Sequence, residues 1–146
     1  KVYVSGVIDV ATRKIVGWSI DQHSRQEIVH EAINMAYGRC KPSDGLIFHC
    51  DRGSQYTSNK TKEILDKFKM LSSMSRPGSP TDNQAIETFW KSMKIEMDDI
   101  SQMKFNDAKK TIIKYIECFY NSQRLHTSLE YKTPNEVWNN QINNKN

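Results

Sequence analysis

The chain has 146 residues with 37% hydrophobic content, the usual size for one globular domain with a buried core. Lysine and arginine total 21 against 17 acidic residues, and the net charge of +4 suits a partner that carries phosphates. The cysteines and histidines stand at no zinc-ligand spacing, and no apolar run approaches the ~18 residues that a membrane span needs.

Two β-branched, apolar segments open the chain and predict a hairpin. They cover residues 2–10 and 14–20, with a short polar break between them. Residues 24–38 place apolar side chains near one face of a helix, which Gly38 is expected to end. Residues 46–50 form a nearly continuous apolar run, which indicates a strand buried on both faces.

Helices dominate the predicted elements of the remaining sequence. A capping box at Thr133 to Glu136 predicts the start of a final short helix, followed by a polar tail. The order of strands and helices predicts an α/β domain with a mixed sheet flanked by helices. The other expected elements are helices at 58–67, 82–97 and 106–120, a short strand at 70–74 and a loop at 75–81.

The segment FHCDRGSQY, residues 48–56, contains the first candidate site. Asp51 follows the predicted buried strand, at the sheet edge where α/β folds place ligands, and Gly53 allows the backbone to turn sharply beside it. Arg52 and Gln55 either meet a phosphate or order the loop. The structural alternative for Asp51 is that it starts a loop or caps a turn.

The predicted helix that begins at Asp82 contains the second candidate site. An apolar stripe lies on one side of this helix, and the opposite side is polar. The structural alternative is a solvated face with a Glu to Lys pair. Thirty-five residues separate Asp51 from Glu87. The polar side consists of Asn83, Glu87, Lys91 and Lys94.

Four segments of the chain resemble the catalytic core of bacterial insertion-sequence transposases of the DDE type, which are similar to retroviral integrases. The resemblance implies a ribonuclease-H-like α/β fold, with residues 1–138 as the integrase-like catalytic core and residues 139–146 as a polar C-terminal tail. The segments are VIDVATRKIVGW (7–18), HCDRGSQYTS (49–58), SRPGSPTDNQAIETFWKSMKIE (75–96) and YNSQRLHTSLEYKTPNEVW (120–138).

By this resemblance Asp51 and Glu87 correspond to the second and third acidic residues of the triad, and they are expected to be catalytic and to bind Mg²⁺ or Mn²⁺. Lys94 matches the family's basic residue that approaches the DNA end. The implied activity is metal-dependent cleavage and strand transfer at transposon ends. The implied partners are transposon-end DNA, target DNA and further copies of the chain, in the bacterial cytoplasm at the nucleoid. The other expected DNA contacts are Lys91, Arg52, Gln55 and Asn83.

The family's first aspartate lies on a strand upstream of Lys1 and has no counterpart in this chain. Asp9 is the only other acidic residue in a predicted strand before Asp51, and it matches a non-catalytic position. In the family the first aspartate bridges two metal ions, so we expect this chain alone to be nearly inactive. The family's first strand lies between the strands at 2–10 and 46–50, so we expect two unpaired strand edges facing a gap.

Two other interpretations stay open from the sequence. One alternative is a catalytically inactive DNA-binding or oligomerisation fragment of a transposase, as the absent aspartate suggests. The other is a nuclease acting on RNA in hybrids. The match of residues 120–138 to transposases argues against the nuclease. Within that segment, Arg124 and His126 either contact DNA or a neighbouring subunit, or have a structural role.

Overall fold

Two small sheets and the helices around them make up the part of the chain that the computed structural model describes, namely residues 1–50, 58–74 and 83–144. None of the helices in these ranges is long and apolar enough to cross a membrane. The strands are β1 (Tyr3–Ile8), β2 (Ile15–Asp21), β3 (Ile47–Cys50) and β4 (Leu71–Met74). The α-helices are α1 (Glu27–Cys40), α2 (Asn59–Lys67), α3 (Gln84–Glu96), α4 (Phe105–Ile113) and α5 (Pro134–Asn144).

The predicted hairpin is confirmed, because β1 and β2 pair in an antiparallel sheet. β1 ends at Ile8, two residues earlier than the predicted strand, so Asp9 lies in the connection to β2. One carboxylate oxygen of Asp9 accepts hydrogen bonds from the backbone N–H of Thr12 at 2.9 Å and from its hydroxyl at 2.6 Å. This local bonding stabilises the turn and gives Asp9 a structural role.

Side chains of β1 alternate between two hydrophobic cores, as the pleat of a strand requires. Val4 and Ile8 pack against the first core, and Tyr3 and Val7 pack against the second. The hairpin is therefore covered on both faces. The first core contains Ile15, Ile20, Phe89, Ile112, Tyr115, Ile116 and Tyr120. The second contains Ile28, Val29, Ile33, Ile64, Leu65 and Met70.

The strands β3 and β4 pair in parallel and form a separate two-stranded sheet. The predicted gap is confirmed, since no pairing joins β1 to β3 among the described strands. The prediction that residues 46–50 are buried on both faces is wrong, because Ile47 is 66% exposed. Its register partner Leu71 is 59% exposed. A sheet of two strands leaves apolar side chains in water that a wider sheet would cover.

Helix α1 packs closely on β2 because Gly17 has no side chain. A Cβ atom at this position would lie 2.2 Å from the carbonyl oxygen of Ala32. The predicted helix end at Gly38 is wrong, since the helix continues to Cys40. Lys41 ends it in the left-handed conformation, φ 43°, and donates its backbone N–H to the carbonyl of Tyr37 at 2.9 Å.

The predicted helix over 106–120 has two parts. α4 leads directly into a π-helix, Lys114–Tyr120, whose wider turn lets the N–H of Asn121 donate to the carbonyl of Ile116 at 3.0 Å. The predicted capping box is present at the start of α5, where the N–H of Glu136 donates to the hydroxyl of Thr133 at 3.2 Å. α5 then continues to Asn144, further than the short helix expected from the sequence.

Candidate functional site

A groove of about 1000 Å³ separates the two sheets at the edges of β1 and β3. We call it the inter-sheet groove. One wall includes Val7 and Ile8 of β1, and the opposite wall includes Phe48 and His49 of β3. Side chains of α1, α3 and α5 cover its faces, among them Ala36, Ile86, Trp90 and Trp138. The groove therefore has strand edges on two sides and mostly apolar side chains above and below.

Helix α3 brings Glu87 to this groove by packing directly on β1. A Cβ atom at Gly6 would lie 3.3 Å from Cη2 of Trp90 and 3.8 Å from Cδ1 of Ile86, so the helix lies against the strand backbone. Glu87 and Asn83 both line the groove, and the Glu87 side chain is exposed. An exposed carboxylate beside a groove can bind a cation.

Cys50 ends β3, lines the same groove and is 4% exposed. Asp51 follows it directly in the sequence but lies outside the described residues, as do Arg52 and Gln55. The structure thus places one of the two predicted metal ligands, Glu87, and the residue preceding the other, on the same groove. The convergence of the two carboxylates stays a prediction.

The predicted DNA-contacting lysines are exposed on α3. Lys91 and Lys94 follow Glu87 at intervals of four and seven residues, which places the three side chains along one side of the helix. Phe89, on another side, is 1% exposed and anchors α3 in the first core. The helix therefore presents a carboxylate and two cations to the outside, and their contact with DNA stays a prediction.

Over residues 1–50, 58–74 and 83–144, no cluster of three or more His, Cys, Asp or Glu side chains is arranged to hold a metal ion. The predicted metal site is not a cluster of this kind, because it combines Glu87 with Asp51, which lies outside those ranges. Carboxylate oxygens are the ligands that Mg²⁺ and Mn²⁺ prefer. The residue types of the predicted pair fit such an ion.

A polar network at the end of α3 was not predicted from the sequence. Nε of Arg124 donates to both carboxylate oxygens of Glu96 at 2.9 Å, and the Tyr115 hydroxyl donates to the same carboxylate at 2.7 Å. Burial opposes ionisation of Glu96, but the hydrogen bonds from Arg124 and Tyr115 outweigh it and lower the pKa of this carboxyl. Arg124 also approaches the Ser92 hydroxyl, with Nη2 3.5 Å away.

His126 lies next to this network and is held neutral. Burial, together with the charges of Arg124 and Arg13, lowers the pKa of His126 to about 4. Its ring meets that of Tyr120 edge-on, with centroids 5.2 Å apart, and its Nε2 is buried with no hydrogen-bond partner in the described part of the chain. Of the two roles that the sequence left open for Arg124 and His126, the contacts support the structural one.

Comparison with known proteins gives matches along most of the chain. A family model described as integrase core domain matches residues 1–80, and a second model with the same description matches residues 69–134. The transposase for insertion sequence element IS904 of Lactococcus lactis subsp. lactis (strain IL1403) is 41% identical over 135 residues, which are 92% of this chain and 53% of that protein. The chain spans about half the length of the curated relatives it matches.

Solved structures show the same fold at low sequence identity. The crystal structure of the catalytic core domain of BIV integrase has a TM-score of 0.73 and 14% identity, and the match covers 99% of this chain and 90% of that one. A chain in the simian T-cell lymphotropic virus intasome in complex with PP2A regulatory subunit B56 gamma has a TM-score of 0.63 and 11% identity, with 90% of this chain and 46% of that one covered. The ribonuclease-H-like architecture expected from the sequence is thus confirmed.

Proposed function

This chain belongs to the integrase core domain family, and from that membership we propose that it forms most of the catalytic core of a DDE-type DNA transposase. The reaction would be metal-dependent cleavage and strand transfer at transposon ends, both of them phosphoryl transfers on DNA. The observation that carries the proposal is that Glu87 of α3 and Cys50, the residue before Asp51, line one groove.

Asp51 and Glu87 are the residues that would hold Mg²⁺ or Mn²⁺. Bound divalent ions would supply stabilisation of the attacking and leaving oxygens of the phosphodiester. Two features of the chain support this assignment. Glu87 lies on a helix whose apolar side is fixed in the first core, and its exposed carboxylate borders the groove. A carboxylate on a rigid helix is a well-positioned ligand.

The DNA-binding role would belong to the cationic and amide side chains near these carboxylates. Lys91 and Lys94 are exposed beside Glu87 on α3, where each can meet a phosphate as a point charge. Transposon-end and target DNA would be the substrates, and several copies of the protein would act together in the bacterial cytoplasm. The further contacts that we assign to DNA are Arg52, Gln55 and Asn83.

The inter-sheet groove favours a second candidate, a catalytically inactive fragment that binds DNA or oligomerises. Two strand edges border this groove, and in the described residues neither pairs across it. Open strand edges recruit further strands, either from the same protein or from another copy. Asp51 and Glu87 by themselves would bind an ion weakly, and we propose that this chain alone has very low strand-transfer activity.

The test is strand transfer between oligonucleotides by the full-length protein, with Mg²⁺ or Mn²⁺ supplied. Asp51→Asn and Glu87→Gln are each expected to lower the rate at least ~100-fold, because each removes a charged oxygen ligand while keeping the side-chain size. Binding of the same DNA, measured by fluorescence anisotropy, is expected to change by less than about threefold.

Glu63→Gln is the matched control, since Glu63 is an exposed helical carboxylate on α2, 3.9 Å from Lys60 and away from the groove lining. This variant should keep the full rate. Strand transfer that survives either Asp51→Asn or Glu87→Gln would refute the metal-ligand roles. A full-length protein that binds DNA but never transfers strands would favour the inactive alternative.

A further inference from the structure

The last turn of α3 is held in place by one side chain from the segment after the π-helix. Arg124 reaches across two positions of this turn, with Nε 2.9 Å from both oxygens of Glu96 and Nη2 3.5 Å from the hydroxyl of Ser92. The carboxylate also accepts the Tyr115 hydroxyl at 2.7 Å. The Arg124 and Glu96 side chains are only 26% and 29% exposed, so water screens this ion pair less than a surface pair.

We call the contact of Arg124 with Glu96 and Ser92 the clamp. The segment that carries Arg124 is itself bonded to the hairpin sheet. The backbone N–H of Arg124 donates to the carbonyl of Phe119 in the π-helix at 2.8 Å. Three residues before it, the carboxamide of Asn121 bonds to the backbone of Ile15 in β2, at 2.9 Å and 3.0 Å. Polar contacts therefore tie the short segment from Asn121 to Arg124 to β2 at one end and to the end of α3 at the other.

The clamp contacts the side of α3 opposite to its functional face. At ~100° per residue, Glu96 lies about 180° around the helix from Glu87 and about 160° from Lys94. The apolar stripe of α3 fixes which side of the helix faces the first core, but hydrophobic packing is less directional than an ion pair and restrains small rotations of the helix less tightly. A roll of ~20° would move an atom at the outer helix surface by roughly 2 Å. Such a shift is large compared with the distance range of a charge-assisted hydrogen bond, so a lysine must change its side-chain conformation to keep its phosphate contact.

We propose that Arg124 and Tyr115 are positioning residues which, through Glu96, fix the rotation of α3 and thereby aim Lys94 at the DNA end. This inference rests on the proposed function, because it takes Lys94 as the residue that meets DNA. The proposal gives a function to Arg124, one of the polar residues in segment 120–138. Neither Arg124 nor Tyr115 needs to touch DNA in this role.

The chain offers a closely matched control. Arg39 and Glu117 form another ion pair between distant segments, with Nη1 of Arg39 2.8 Å from Oε1 of Glu117. There too an aromatic donor completes the contact, since Nε1 of Trp18 donates to the same oxygen at 2.7 Å. This pair joins α1, β2 and the π-helix, and the hydrogen bonds described for Arg39, Glu117 and the Trp18 ring do not involve α3. Its loss should cost stability without changing the direction of Lys94.

The experiment is a double-mutant cycle on binding of a short fluorescent duplex with one open end, with a hairpin-capped duplex of the same sequence as reference. Lys94→Ala is expected to weaken binding to the open end about tenfold, the value of one charge-assisted contact. Arg124→Met should weaken it by a similar factor. In the Arg124→Met protein, Lys94→Ala should then have almost no further effect. In the Arg39→Met protein, Lys94→Ala should keep its full tenfold effect on binding.

Each outcome decides a separate point. A full tenfold effect of Lys94→Ala in the Arg124→Met background would overturn the positioning role and leave the proposed function standing. An unchanged affinity in Lys94→Ala alone would overturn the DNA contact, and failure of the chain to bind any duplex would overturn both. If Arg124→Met does not fold, Tyr115→Phe takes its place in the cycle, because it removes one donor to Glu96 and keeps the ring.

Discussion

The side-chain amide of Asn121 pairs with the backbone of Ile15, 106 residues earlier in the chain, much as a neighbouring strand would. Its Oδ1 accepts the Ile15 N–H at 2.9 Å, and its Nδ2 donates to the Ile15 carbonyl at 3.0 Å. Both residues are buried, with Asn121 1% and Ile15 0% exposed. Asn121→Ala leaves two buried backbone groups without partners and is expected to lower the free energy of unfolding by ~2–4 kcal/mol.

Urea unfolding followed by circular dichroism measures this loss. Asn140→Ala, at an exposed position of α5, is the control and should change the free energy of unfolding by no more than ~0.5 kcal/mol. Equal stabilities of the two variants would contradict the structural role of Asn121.

Gly17, packed against α1, and Gly38, exposed on α1, give opposite predictions for the same substitution. Gly17→Ala places a Cβ 2.2 Å from the backbone oxygen of Ala32 and 2.9 Å from Cβ of Ala36, so it is expected to cost ~3 kcal/mol or more. Gly38→Ala meets no atom within 4 Å at an exposed helical position, and it should add ~0.5–1 kcal/mol. Thermal unfolding of both variants measures the difference. A destabilising Gly38→Ala would show that α1 does not continue through this position.

Stability should fall as the pH drops from about 6.5 towards 4, because of His126. Burial is the main cause that lowers the pKa of His126 to about 4, with the charges of Arg124 and Arg13 adding to it. The folded protein thus takes up this proton at lower pH than the unfolded chain, whose histidines titrate near ~6.5. The stability that neutral His126 contributes is fully present above pH ~6.5. It is lost as the pH falls from about 6.5 to about 4, by no more than ~1.4 kcal/mol per pH unit.

Urea unfolding at several pH values tests this dependence. His126→Gln should flatten the curve between pH 6.5 and 5, whereas His23→Gln, at an exposed position, should leave it as in the parent. A parent protein with the same stability at pH 7 and pH 5 would rule out a buried neutral His126.

Filling the inter-sheet groove with a β-strand is expected to stabilise the domain. A β-strand joined to the N-terminus at Lys1 would be able to pair with both β1 and β3, which border the groove without pairing across it in the described residues. We expect the melting temperature to rise by at least ~4 °C and self-association to decrease. The control is the same extension with prolines at its central positions, since proline cannot donate to the sheet. An unchanged melting temperature and oligomeric state would count against the groove as a strand site.

Local patterns predicted the hairpin, the helices and the side of α3 that carries Glu87, because each depends on spacing within a few residues. Features that depend on distant partners could not be found in this way. The pairing of Asn121 with Ile15 and the clamp of Arg124 on Glu96 join segments far apart in the chain. The exposure of Ile47 depends on what covers the sheet, which a strand's own sequence does not state.

The candidate site was predictable to a similar extent. Periodicity placed Glu87, Lys91 and Lys94 on one side of a helix, and the helix is observed. The sequence could not decide between a DNA-binding and a structural role for Arg124, because a cation suits either a phosphate or a carboxylate. Its proximity to Glu96 depends on the geometry of the π-helix, which a search at 3.6 residues per turn does not detect.

The π-helix Lys114–Tyr120 makes the length of this segment as important as its composition. Deleting one residue would turn every later side chain by roughly a quarter of a turn about the helix axis, so Asn121 would leave Ile15 and Arg124 would leave Glu96 in a single step. A substitution at an outward position, such as exposed Cys118, changes only one side chain. Natural variants of this domain should therefore tolerate exchanges here far better than one-residue insertions or deletions.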